Sequence, residues 1–222
     1  MRFEWPEPRT IALTVVAVVV AAGLVLGGWY WYDSQQRRVS AAYAEAMTRV
    51  YAAQSPQAPI DARVRAANEL EQVMAKYPSG SGTGEAAYEL GNLRWAAQQY
   101  APARSAYEIA VARGGSATVR TLARASIGYT WEAERNFAKA VDVYQAVAKD
   151  LGPKDFLFEQ ALLDLGRAQE LAGRTPDAIA TYQRLLKEAP NARRGDEVRA
   201  RLTTLGAAPP APSPSASAPA GR

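Results

Sequence analysis

The sequence predicts an all-α protein: an N-terminal transmembrane helix, then an α-solenoid of about four helical hairpins and a capping helix. Three observations predict it. From Ile11 to Tyr32 there are 22 residues without a charge. Beyond them, apolar residues recur at steps of three and four, the signature of amphipathic helices. Three columns then repeat in one register: Ala66, Ala103, Ala140 and Ala178; Leu70, Tyr107, Tyr144 and Tyr182; Val73, Ala110, Val147 and Leu185, at intervals of 37, 37 and 38. A period of that size marks a solenoid, whose units bury their apolar faces only against one another.

Composition narrows the chemistry. A chain of 222 residues accommodates one domain of ordinary size, since domains run to roughly 100–200 residues. Its 48% hydrophobic and 22% charged residues describe a chain that can offset the entropy lost on folding. With no cysteine and no histidine, disulfides, thiolate nucleophiles, imidazole acid/base chemistry and nearly every zinc arrangement are removed. No catalytic, cofactor-binding or metal-ligating set is expected, and the protein reads as non-enzymatic. The net charge of +4 is small, and the densest basic group, Arg193, Arg194, Arg199 and Arg201, is interrupted by Asp196 and Glu197. That is a solvated helix face and not a nucleic-acid surface.

Residues 1–10 form a mixed-charge segment, with Arg2 and Arg9 beside Glu4 and Glu7. The span, residues 11–32, meets the length of about 20 residues that a helix needs to cross the hydrocarbon layer. Bulky aromatics stand where a signal peptidase requires small residues, so an uncleaved anchor is expected. Trp29, Tyr30, Trp31 and Tyr32 read as an interfacial belt, because amphipathic rings favour the headgroup level. Arg2, Arg9 and the amino terminus before the span balance Arg37, Arg38 and Arg49 after it, and charge counting leaves the orientation undecided.

Residues 33–206 form the repeat domain. Val39, Ala42, Tyr43, Ala46, Met47, Val50 and Tyr51 line one helical face, "QSPQAP" breaks the helix, and Ala66 to Tyr77 supply a second face closed by Pro78. In the first helices of later hairpins, Leu90-Gly91, Ile127-Gly128 and Leu165-Gly166 recur at 37 and 38. These glycines let paired helices approach, and the tyrosine column is expected to fill the gap between one hairpin and the next. Thr175 is expected as an N-cap before Pro176, Asn136 as another, and Pro102 as a helix opener, while Gly152-Pro153 and Pro190 end helices. "GSGTGE", residues 80–85, lacks the lysine and preceding strand of a phosphate loop and reads as a flexible inter-repeat connection. "ARRGDEVRARLTTL" reads as the solvating cap of the stack. Residues 207–222, rich in Pro, Ala and Ser, read as a disordered tail.

These residues resemble the tetratricopeptide repeat, through Leu90-Gly91, Ala103, Tyr107 and Ala110, through Ile127-Gly128, Ala140, Tyr144 and Val147, and through Leu165-Gly166, Ala178, Tyr182, Leu185 and Pro190. The period is three or four residues longer than the family's 34. The order of one anchor followed by such repeats is similar to the ancillary subunit of the bacterial Sec translocon. That resemblance implies a single-pass inner-membrane protein with a periplasmic repeat domain. Its partners would be translocon subunits and membrane-anchored periplasmic folding factors. The alternative is a scaffold of another cell-envelope complex serving secretion, motility or outer-membrane assembly. By the same resemblance the first helix of each hairpin faces the concave side. The candidate peptide groove is then Tyr88, Glu89, Asn92 and Trp95; Ala125, Tyr129 and Glu132; and Leu163, Asp164, Arg167 and Glu170. Aromatics with carboxylates suit a peptide carrying apolar and basic residues. The lysines with which chaperone-tail receptors clamp a terminal carboxylate are replaced here by Tyr88 and Ala125.

Overall fold

The apolar spacing of residues 39–51 continues the helix of the span without a break. The computed structural model describes residues 8–78, 80 and 82–208, and these form nine helices and no strand. α1 (Pro8–Ala53) is one helix of 46 residues, about 70 Å long at 1.5 Å per residue. The boundary expected at residue 33 therefore lies inside a helix. Its described side chains from Val16 to Tyr32 are exposed, and from Tyr43 onward one face is buried. Residues 1–7 of the N-terminal segment and 209–222 of the tail lie outside the described residues.

α1 pairs with α2 (Ile60–Lys76), α3 (Thr83–Ala96) with α4 (Tyr100–Arg113), α5 (Ala117–Ala133) with α6 (Phe137–Lys149), and α7 (Phe158–Leu171) with α8 (Thr175–Glu188). α9 (Gly195–Thr204) covers the open end, burying Val198 and Leu202. Four hairpins and a cap are thus present, as the repeat spacing predicts.

The tyrosine column corrects one expectation. A Cβ on Gly91, Gly128 or Gly166 would stand 2.4, 2.3 or 2.4 Å from a ring atom of Tyr107, Tyr144 or Tyr182 respectively. Each ring therefore fills a notch inside its own hairpin, not the gap between hairpins. The glycine supplies the space, since no side chain shares it. The Tyr107 hydroxyl donates to Asn92 Oδ1 at 2.9 Å, and that of Tyr182 donates to Glu170 Oε1. The Tyr144 hydroxyl is buried and has no hydrogen-bond partner among the described residues. Tyr144→Phe is accordingly expected to be neutral or stabilising, whereas Tyr107→Phe and Tyr182→Phe each lose about 1 kcal/mol or more. Denaturant titration of the three detergent-solubilised variants checks the order.

Helix starts follow the sequence in part. Asn136 accepts from the Lys139 amide at 3.3 Å, and Ser116 from Val119 at 3.1 Å. Thr175, however, is already helical: Arg174 holds the cap position, no side chain caps, and Pro176 is the second residue. The turn before it explains this. Gly173 at φ 73° and the bond from Arg174 N to Gln169 O close α7 and lead straight into α8. Gln98 and Arg135 adopt φ 60° and 59° at the equivalent places in the two preceding hairpins. Pro102 likewise falls third in α4, after Tyr100. "GSGTGE" is also less free than expected, because Thr83 opens α3, hydrogen-bonds Gly80 O at 2.7 Å and lies 3.1 Å from the Tyr43 hydroxyl.

Candidate functional site

Equivalent positions of α3, α5 and α7 carry the candidate groove, and side chains on this face bridge successive first helices. Gln54 of α1's end bonds Glu89 of α3, Tyr129 and Glu132 of α5 bond Asp164 and Arg167 of α7, and Arg201 of α9 reaches Glu170 at 3.5 Å. The predicted residues are thus brought together on one face, with unequal exposure. Trp95 is 44% exposed, whereas Tyr88, Glu89, Asn92, Tyr129, Glu132, Arg167 and Glu170 are half-buried. Leu163 and Asp164 are buried and line no open surface.

The centre of this face is a closed ionic network. Asp164 is 1% exposed at its side chain. It accepts from the Tyr129 hydroxyl, from Gln160 Nε2 at 2.9 Å and from the Arg167 guanidinium at 2.9 Å. Arg167 also grips both oxygens of Glu132, at 3.0 and 3.2 Å. Burial pushes the Asp164 carboxyl above its ordinary range, although Tyr129, Gln160 and Arg167 each oppose the shift. Burial alone would pull Arg167 down, but Glu132 and Asp164 outweigh it and hold the guanidinium charged. Burial, then the neighbouring Asp164, push the Tyr129 phenol up, so it stays a proton donor. The carboxylates that make the sequence look like an acceptor for basic peptides are, at Glu132 and Asp164, already spent on Arg167.

At α3 the arrangement is more open. Asn92 donates to Glu89 at 3.1 Å and accepts from Tyr107, leaving Trp95 exposed beside them. Exposed surface on this face therefore lies around Tyr88 and Trp95, not at Asp164.

Two features were not legible in the sequence. Trp131 is sandwiched between the Arg104 guanidinium, 3.3 Å from the ring centroid, and Lys139 Nζ at 4.1 Å. Arg104 also pairs with Glu134 at 2.9 Å, so this cluster ties α4, α5 and α6 through contacts far apart in the chain. The second is Phe156, 90% exposed at the turn before α7. An isolated Phe in a turn has no periodic signal to mark it.

The belt residues Trp29, Tyr30, Trp31 and Tyr32 are all more than half exposed and point around α1. Tyr32, with Gln35, Gln36 and Val39, also borders a cavity of about 240 Å³ whose far wall is Tyr77, Pro78 and Gly80. The repeat stack therefore begins alongside Tyr32, the last of these four aromatics.

Residues 160–192, which cover most of α7 and all of α8, match the family model of the tetratricopeptide repeat. No curated protein matches the chain. The protein is an all-helical, tetratricopeptide-like solenoid preceded by a helix long and apolar enough to cross a membrane, an architecture suited to binding other proteins.

Proposed function

We propose that the chain is a non-catalytic, membrane-anchored interaction module of the bacterial inner membrane, with α1 as its single span and the repeats in the periplasm. Its partners are translocon subunits and membrane-anchored folding factors, and it links emerging secreted chains to the latter. The observation that carries the binding role is the exposed Trp95, on the same face of α3 as Tyr88, Glu89 and Asn92. An aromatic anchor beside a carboxylate suits a segment with apolar and basic residues. The closed Asp164–Arg167–Glu132 cluster supports a contact area toward the N-terminal half of the groove.

The test is photocrosslinking from position 95 in intact membranes, followed by identification of the adducts. Translocon or folding-factor adducts that disappear with Tyr88→Ala support the reading. Adducts confined to another envelope machine establish the second reading, a scaffold for that complex. An adduct pattern unchanged by Trp95→Ala and Tyr129→Ala, with the probe moved to position 92, removes the groove from the account.

A further inference from the structure

The connections that join one hairpin to the next all lie on a single edge of the stack. Arg113, at the end of α4, donates to Pro78 O in the α2–α3 connection. Arg124 of α5 pairs at 2.9 Å with Asp150 at the end of α6. Glu159 at the start of α7 accepts the amides of Arg193 and Arg194, before α9, at 3.0 and 2.7 Å. The first of these connections walls the cavity that Tyr32 and Val39 complete. Seven residues of helix span about 10 Å, so this edge starts within that distance of the aromatic belt.

Charge on the edge is distributed unevenly. The last turns of α2, α4, α6 and α8, which all end here, hold Lys76, Arg113, Lys149 and Lys187. Of the helices that end on the opposite edge, α1, α5 and α7 have no basic residue in the last turn, and the two that do, α3 with Arg94 and α9 with Arg201, have it ion-paired to Glu71 and Glu170. Complementing the helix dipole would call for cations at both sets of ends equally. Most carboxylates of this edge are engaged locally: Asp150 by Arg124, Asp155 by the Gly152 amide, Glu159 by two amides, Asp196 by Arg199 and Glu197 by Arg194, whereas Glu85 in the first turn of α3 is exposed and has no ion-pair partner among the described residues. Lys154 and the Arg193 guanidinium have no ion-pair partner among the described residues. Between them Phe156 stands 90% exposed, at the rim of a hollow of about 610 Å³ that Leu157 and Arg193 help to line.

We propose that this edge is a second membrane contact: Phe156 enters the headgroup region of the anionic bilayer that holds α1, while Lys154, Arg193 and the four helix-end cations lie against its lipid phosphates. The inference rests on the reading of α1 as a membrane anchor. Its occupant follows from the chemistry, since an apolar ring flanked by cations suits an anionic interface. It also follows from continuity, since the edge begins where the belt ends. Contact along this edge would lay the stack down on the membrane and leave the concave face open sideways.

The chain has no cysteine, so one introduced thiol carries one label. Full-length protein with an environment-sensitive fluorophore at Phe156→Cys, Arg174→Cys on the opposite edge, or Val20→Cys within the span is reconstituted into phosphatidylcholine vesicles with or without phosphatidylglycerol. Quenching by headgroup nitroxide lipids is expected to be several-fold greater at position 156 than at 174. It should fall to the 174 level without phosphatidylglycerol, in high salt, or with Lys154→Glu and Arg193→Glu. Equal quenching at 156 and 174, with the Val20 label quenched by deep nitroxides, overturns the edge contact alone. A Val20 label beyond the reach of deep nitroxides overturns the anchor and this proposal with it. Shielding of position 156 in native membranes but not in phosphatidylglycerol vesicles assigns the edge to a protein and overturns the lipid reading.

Discussion

Replacing Arg167 by Met is expected to lower the stability of the repeat domain by about 3 kcal/mol, the lower end of the cost of breaking a buried ion pair. Arg167 is itself 35% exposed, which moderates its loss, but its partners Asp164 and Glu132 are only 1% and 15% exposed at their side chains. Without the guanidinium two carboxylates face each other with little water to solvate them. Asp164→Asn in the Arg167→Met background removes one of those charges and should recover most of the loss. The dependence on pH carries a definite sign. The Asp164 carboxyl is raised in the folded protein, so the protonated form is favoured there. That contribution is fully present below the ordinary carboxylate range and is lost as pH rises through the raised value. Arg167→Met raises it further, so the penalty should be largest near neutrality and shrink on acidification. Chemical denaturation across the acid range measures this, and a penalty that grows on acidification would refute the network.

Gly84→Ala is the other large effect, about 3 kcal/mol and accompanied by loss of packing between the start of α3 and the end of α4 within the second hairpin. The added Cβ would stand 2.3 Å from Gly114 Cα and 2.5 Å from both Arg113 O and Gly114 N. Every one of those atoms is backbone, so no side-chain rotation relieves the clash, and overpacking costs approach or exceed the usual range of about 1–3 kcal/mol. The gain in helix propensity from glycine to alanine, about 1 kcal/mol, is too small to reverse the sign. At Gly27 or Gly28, where nothing lies within 4 Å, the same change meets open space. Thermal unfolding that is unchanged by Gly84→Ala would show that the α3 start and the α4–α5 turn do not pack as described.

Much of the architecture was legible because it rests on local periodicity. The columns of Ala66, Leu70 and Val73 with their equivalents identify second helices, and all of the repeats fall where those intervals put them. The tyrosine notch was misplaced for a definite reason. A column of residues shows that a position is repeated, but the 2.3–2.4 Å approaches to the glycines belong to the pairing of two helices in space. The N-cap expected at Thr175 and the helix start expected at Pro102 were displaced because the αL turns at Gly173 and Gln98 fix where the next helix begins, overriding the side-chain preference.

The groove shows the same division. Residue types and spacing place Tyr88, Tyr129, Asp164 and Arg167 on first helices of successive hairpins, and that much follows from the 3.6-residue turn. The sequence could not say that Asp164 is buried or that Arg167 consumes two carboxylates, because neutralisation depends on inter-hairpin distance and solvent access. The sequence by itself thus determined an apolar leading helix, the number of hairpins, and which residues share each helical face. Only the tertiary structure decided which of those charges remain available, that α1 runs as a single helix from the apolar segment into the first hairpin, and that Phe156 is exposed in the turn before α7. Periodicity is a property of each helix alone, whereas burial, pairing and the alignment of turns arise when the hairpins pack together.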